Sequence, residues 1–226
     1  MAHVARPTML LVMKGAFIGS LTLSLLLLSF FLSAYDTGFY AKFVEKSLPD
    51  NQERQERVIL HKEIMSFLKG TDADLSPSLE PEEQAHTEDV KRVFFWLQII
   101  LNILLALSAA FIASIFLISR HRTKEIGAIL LSSGILTLAL MLVFAGFLWL
   151  GFGSLFDSMH ELLFAGGTWV FPEESILIQL YPQDFFAAMG FLIAKNIFFI
   201  ANIFIGAGIY SRFVGGQHDR IDRGLC

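Results

Sequence analysis

Two histidines stand beside acidic residues at helical spacing, in His86-x-x-Asp89 and Asp157-x-x-His160. Residues three apart on a helix share a face and are close enough to interact. A carboxylate near an imidazole favours the protonated ring and selects its tautomer. Such a histidine serves as a general base, or as a hydrogen-bond donor toward a developing oxyanion. Both lie just outside long apolar runs, so the chemistry they point to is proton transfer on a substrate held in lipid. His86 and His160 are the candidate catalytic residues, with Asp89, Asp157 and Glu161 as supporting carboxylates.

The same set admits a metal reading, because His86, Asp89, Asp157, His160 and Glu161 offer nitrogen and oxygen ligands. His160-Glu161-Leu162-Leu163-Phe164 begins like a zinc-protease helix, but Phe164 occupies the place of the second histidine. No nucleophile elbow, phosphate-binding glycine loop, dinucleotide fingerprint or Cys-x-x-Cys pair occurs. No metal and no cofactor is therefore assigned.

Apolar helices must position these groups. Of 226 residues, 54% are hydrophobic and 23 are phenylalanine, and the mean hydropathy is +0.60. That is too apolar for a soluble domain of this length. Four stretches, about Gly15–Ala34, Val93–Ser119, Ile126–Phe152 and Phe185–Ser211, are long enough to cross roughly 30 Å of hydrocarbon as helices. The expected fold is all-α, a four-helix membrane bundle forming one domain over residues 1–226. The first span follows Arg6 and Lys14 like a signal peptide. Its apolar core outruns the roughly 7–15 residues of a cleaved segment, so it reads as a retained anchor.

Charge fixes the expected orientation. Arg6, Lys14, Arg120, Arg122, Lys124, Arg212, Arg220 and Arg223 flank the spans on one side, whereas the 153–184 segment holds five acids and no Lys or Arg. The positive-inside rule then places both termini in the cytoplasm and the loops 36–92 and 153–184 outside. The first loop, with eight basic residues against thirteen acids, follows from the count of spans. A net charge of −4 with no basic stripe argues against nucleic acid as a partner. The single cysteine, Cys226, excludes an intrachain disulfide.

Within the first outer loop, Asp50 and Glu53 form a capping-box pattern, Val58, Ile64, Met65 and Leu68 recur at helical spacing, and Lys69-Gly70 supplies a stop. A short amphipathic helix follows from this, resting on the outer membrane surface or capping the bundle. Pro81, followed by Glu82 and Glu83, starts a helix that runs unbroken into the second span and carries His86 about two turns above Val93. The second outer loop is too apolar for free solution and reads as a re-entrant or interfacial segment over the bundle mouth. Trp169 and Tyr181 suit the headgroup level. Lys195 is a lone charge within the fourth span, a position that commonly faces the bundle interior or a lipid phosphate. These three are the expected substrate-pocket residues.

Two segments carry a family resemblance. EPEEQAHTEDVK (Glu80–Lys91) and MHELLFAGGTWVFPEESILIQLYPQDFF (Met159–Phe186) resemble the signature regions of a four-pass membrane family that includes the lipoprotein intramolecular transacylases. LHKEIMSFLKG (Leu60–Gly70) is similar to that family's outer amphipathic helix. Met159, where the family pattern has Phe, and Phe171, where it has Asp before the proline, depart from it. The resemblance implies an acyltransferase of the bacterial cytoplasmic membrane, acting from the extracytoplasmic side on diacylglyceryl-modified lipoproteins. It implies transfer of the sn-2 acyl chain to the α-amine of the N-terminal cysteine, with His86 and His160 as the key histidines. The alternatives are a non-enzymatic four-pass sensor or assembly protein, in which the histidines tune binding, and a metal-dependent membrane hydrolase.

Overall fold

The computed structural model describes residues 2–71, 74–75, 77–119, 121–164 and 167–224, with backbone alone for 2–11, 118 and 218–224. Its elements are α1 (Ala2–Ala34), α2 (Thr37–Ser47), α3 (Asn51–Lys69), α4 (Pro81–Ile118), α5 (Arg122–Leu163), α6 (Ile176–Leu180) and α7 (Gln183–Gly224). Four of them, α1, α4, α5 and α7, are long and apolar enough to cross a membrane. Only 11% of the α4 apolar window is buried in protein, so most of that surface must meet lipid. The fold is all-α, as expected.

Two compact units make up the chain, each assembled from separated segments. The first comprises Met1–Ser29, Ile99–Val143 and Ala194–Cys226. Phe17, Leu21 and Ile129 form its core, and Phe17 stacks on Phe111 at 5.0 Å. Hydroxyls cross-link its helices: Ser20 donates to the Leu104 carbonyl at 3.2 Å, and Thr22 to the Ser133 carbonyl at 3.4 Å. A helix in hydrocarbon gains little from apolar association, so small residues and hydroxyls set which faces meet. Gly127 and Gly134 on α5 accordingly face Gly208 and Ala201 on α7, where an added Cβ would lie within 3 Å of backbone.

The second unit comprises Phe30–Gln98 and Phe144–Ile193. The capping pattern read from the sequence is realised at α3: Asp50 accepts from the Gln52 and Glu53 amides, and Gly70 closes the helix at φ 73°. Helix α2 was not expected. Asp36 caps it by accepting from the Phe39 amide at 3.0 Å, and Tyr40 and Val44 give it a buried face. Those two side chains join Ile64, Met65, Phe67 and Leu68 of α3, Leu177 and Leu180 of α6, and Phe185 of α7 in one core. Tyr40 ties the layers by donating to the Leu180 carbonyl at 3.0 Å.

Two long helices deliver the histidines to this unit. As expected, α4 starts at Pro81 and carries His86 without interruption. Helix α5 bends at Gly151 (φ −177°, ψ 60°), next to the expected span end at Phe152, and resumes through Asp157 to Leu163. His160 therefore sits in the last turn of the helical segment that follows the bend.

Candidate active site

The His86 and His160 rings lie 6.4 Å apart between centroids, inclined at 25°. Residues 74 apart in sequence are thus brought to one site by the N-terminal turns of α4 and the C-terminal turns of α5. Aromatic rings enclose them. Phe164 packs against both, at 4.8 Å from His86 and 5.5 Å from His160. Phe171 lies 5.5 Å from His86, while Phe156 and Trp169 flank His160 at 4.0 and 4.9 Å. His160 and Phe164 are buried, and His86 is half-buried.

The two rings differ in their hydrogen bonds. His160 Nδ1 lies 2.8 Å from the Phe156 carbonyl. A carbonyl only accepts, so Nδ1 carries the proton and the neutral ring presents Nε2 as its lone pair. The bond also fixes the ring plane, as a carboxylate does for the histidine of a serine-protease triad. His86 Nδ1 is buried and has no hydrogen-bond partner among the described residues. An unpartnered buried nitrogen is costly, and a catalytic role is one reason for a fold to keep it.

The expected His–Asp pairs do not form hydrogen bonds. Asp89 is drawn one turn along α4 into an ion pair with Arg92, and Asp157 is exposed while His160 binds backbone instead. Glu161 is exposed. Trp169 does join the histidines. Tyr181 belongs to a neighbouring cluster, its hydroxyl 2.9 Å from His61 Nδ1. Lys195 is exposed on α7 and falls in the first unit, so it does not meet the expectation of an inward-facing charge. Among the described residues, no three His, Cys, Asp or Glu side chains come together to hold a metal ion.

That His61 cluster was not read from the sequence. His61 is 2% exposed, stacks on Tyr40 at 3.9 Å, and has a buried Nε2 with no partner among the described residues. Burial, helped by the charges of Lys69 and Lys62, lowers its pKa to about 4, so it is neutral. Burial also raises the Tyr40 and Tyr181 hydroxyls, which stay protonated.

Sequence reasoning treated Glu83 only as a helix-start charge. Glu83 as a residue is 2% exposed, one turn before His86. Oε2 accepts from the Glu80 amide at 2.9 Å, one half of a capping-box pattern at the start of α4, while Oε1 accepts from the Ser175 hydroxyl and, at 3.2 Å, from the Leu177 amide. The spacing Glu80-Pro81-x-Glu83 signals the first bond; nothing local in the sequence signals the other two.

The chain is similar to known proteins in both sequence and fold. Residues 16–186 match the family model described as lipoprotein intramolecular transacylase Lit. The in meso structure of the membrane-integral lipoprotein intramolecular transacylase Lit from Bacillus cereus is 19% identical, covers 99% of both chains and has a TM-score of 0.75. A variant of that protein, from the same organism, with one histidine replaced by alanine is 21% identical over 98% of this chain and 100% of its own, with a TM-score of 0.77. Curated protein sequences give no match. At such identities the structural likeness speaks to fold, and the match across residues 16–186 speaks to descent: the chain belongs to the Lit family of lipoprotein intramolecular transacylases.

Proposed function

We propose that this chain is an acyltransferase of the cytoplasmic membrane that moves the sn-2 acyl chain of a diacylglyceryl lipoprotein to the α-amine of its N-terminal cysteine, leaving a lyso-form lipoprotein. The observation that carries this reading is the pair of imidazoles 6.4 Å apart inside an aromatic enclosure. Ester-to-amide transfer needs a base for the amine, a donor for the carbonyl oxygen and protection from water.

His160 supplies the base. Its Nδ1–H is held by the Phe156 carbonyl, so Nε2 takes a proton as the amine attacks the ester carbon. The C–N bond forms, the C–O bond to the glyceryl sn-2 oxygen breaks, and the same proton passes to that oxygen. His86 supplies a hydrogen bond to the tetrahedral oxyanion. Because amine and ester belong to one molecule, holding them at attack distance contributes much of the rate. The outer-face location rests on the positive-inside pattern, which puts loops 36–92 and 153–184, and with them both histidines, outside.

Mass spectrometry of an abundant lipoprotein's N-terminal peptide tests the reading. Cells with the wild-type gene are expected to contain the N-acyl lyso form. His86→Ala and His160→Ala cells are expected to lose it by roughly 10²-fold or more while the protein still accumulates in the membrane. An unchanged lipoprotein after deletion of the gene would favour the sensor or assembly role instead.

A further inference from the structure

The segment that covers the histidines is pinned at one point by a residue the chemistry does not use. Trp169 lies against His160 and Phe171 against His86, both from the chain between α5 and α6. Local turns shape that stretch, the Val170 amide bonding to the Gly167 carbonyl and the Ser175 amide to the Pro172 carbonyl. Its far end then meets Glu83. Three uncharged donors, from Glu80, Ser175 and Leu177, converge on this one buried carboxylate. A buried carboxylate without a cationic partner is retained only where such donors satisfy it.

We infer that Glu83 is a positioning residue, a latch that holds the Trp169–Phe171 stretch over the imidazoles and so decides whether the acyl chain goes to the amine or to water. The inference rests on the acyl-transfer reading above. In transfer, the C–N bond forms, the glyceryl C–O bond breaks, and the amine proton ends on the glyceryl oxygen. In hydrolysis, a water oxygen bonds to the same carbon and the same C–O bond breaks. One water proton goes to the glyceryl oxygen, and the other is lost from the released fatty acid. The two routes share the base and differ only in which nucleophile reaches the carbon. Loosening the cover admits water without touching either histidine.

The latch can be cut without dismantling the unit. Leu177 and Leu180 anchor α6 in the core, and Tyr40 and Arg57 bind the Leu180 and Gln179 carbonyls. Of α6, Glu83 therefore holds only the end that adjoins the cover, besides its bond to the Glu80 amide at the start of α4.

The experiment uses purified protein in lipid nanodiscs with a synthetic diacylglyceryl lipopeptide, and counts fatty acid released per amide formed. Glu83→Gln and Ser175→Ala are expected to raise that ratio about tenfold, as loss of a charge-assisted hydrogen bond implies. Ser175→Thr, which keeps the hydroxyl, is expected to restore the wild-type ratio. An unchanged ratio in both variants, or loss of amide with no gain in fatty acid, overturns the latch. If Glu83→Gln fails to fold, Ser175→Ala and Ser175→Thr decide alone. A second readout is independent of activity. With Trp96 and Trp149 replaced by Phe, acrylamide is expected to quench Trp169 more strongly in Ser175→Ala. If the wild type makes neither product, the acyl-transfer reading fails, and the quenching alone judges the latch, with equal quenching overturning it.

Discussion

At the scale of single residues, the two histidines were legible because each sits beside a long apolar run, where a titratable group is conspicuous. Their partners were not. Spacing places Asp89 and Asp157 within reach of the rings, but it cannot show that Arg92 competes for one carboxylate or that the Phe156 carbonyl is better aimed than the other. His61 was hidden for a related reason: on an amphipathic helix it reads as a surface residue until Tyr40 and Tyr181 enclose it. Its neutrality has a measurable consequence. An unfolded chain protonates this histidine near about pH 6.5, whereas the folded protein does so only at about 4. The unfolded state therefore binds more protons between those values. Stability from this site is complete above the upper value, falls as the pH drops through the window, and is lost by the lower one. The full effect is about 3 kcal/mol. The groups facing the ring are Tyr40 from α2, Tyr181 beyond α6, and Lys62 and Lys69 on its own helix. Melting temperatures of purified wild type at pH 7.5 and 5 are expected to differ more than those of His61→Gln; equal differences would contradict this account.

At the scale of elements, the apolar stretches, the Asp50 cap and the Gly70 stop were readable because each is a local pattern with a local cause. So was the start of α4 at Pro81. Helix α2 was missed because Thr37–Ser47 is only 11 residues long and its cap, Asp36, lies two residues past the end of α1. The sequence gives no sign of how far the helix runs past the expected span end; the chain is non-helical at Gly151 and helical again from there through Leu163. Glycine contacts between α5 and α7 depend on which faces meet, and no single helix encodes that. A Cβ on Gly134 would lie 2.9 Å from the Ala201 carbonyl and 2.7 Å from Ile205 Cγ1, whereas one on Gly190 would meet only the end of the Leu148 side chain. Backbone cannot step aside as a leucine methyl can. Gly134→Val is therefore expected to destabilise by about 1–3 kcal/mol, and Gly190→Ala by clearly less. Thermal unfolding in detergent checks the order, and a reversed order would contradict the packing described.

At the scale of the whole molecule, the sequence named the four membrane-length helices and the family, because hydropathy and signature segments both survive without knowledge of contacts. The division into two compact units did not emerge, since each draws on three or two separated stretches that only folding brings together. The expected orientation makes a further prediction. A cysteine introduced at Glu173, in a Cys226→Ser background, is expected to react with a membrane-impermeant maleimide in intact cells, whereas one introduced at Thr123 reacts only after lysis; the opposite pattern would invert the topology. Catalysis as proposed requires both imidazoles to carry an acyl chain within one substrate. Reconstituted protein given a lipopeptide with an isotope-labelled sn-2 chain, mixed with an unlabelled lipopeptide of different peptide mass, measures this directly. The wild type is expected to place label on the amine of the labelled peptide alone, and neither His86→Ala nor His160→Ala to place it at all. Label on the other peptide, or transfer at the wild-type rate by either variant, would contradict it.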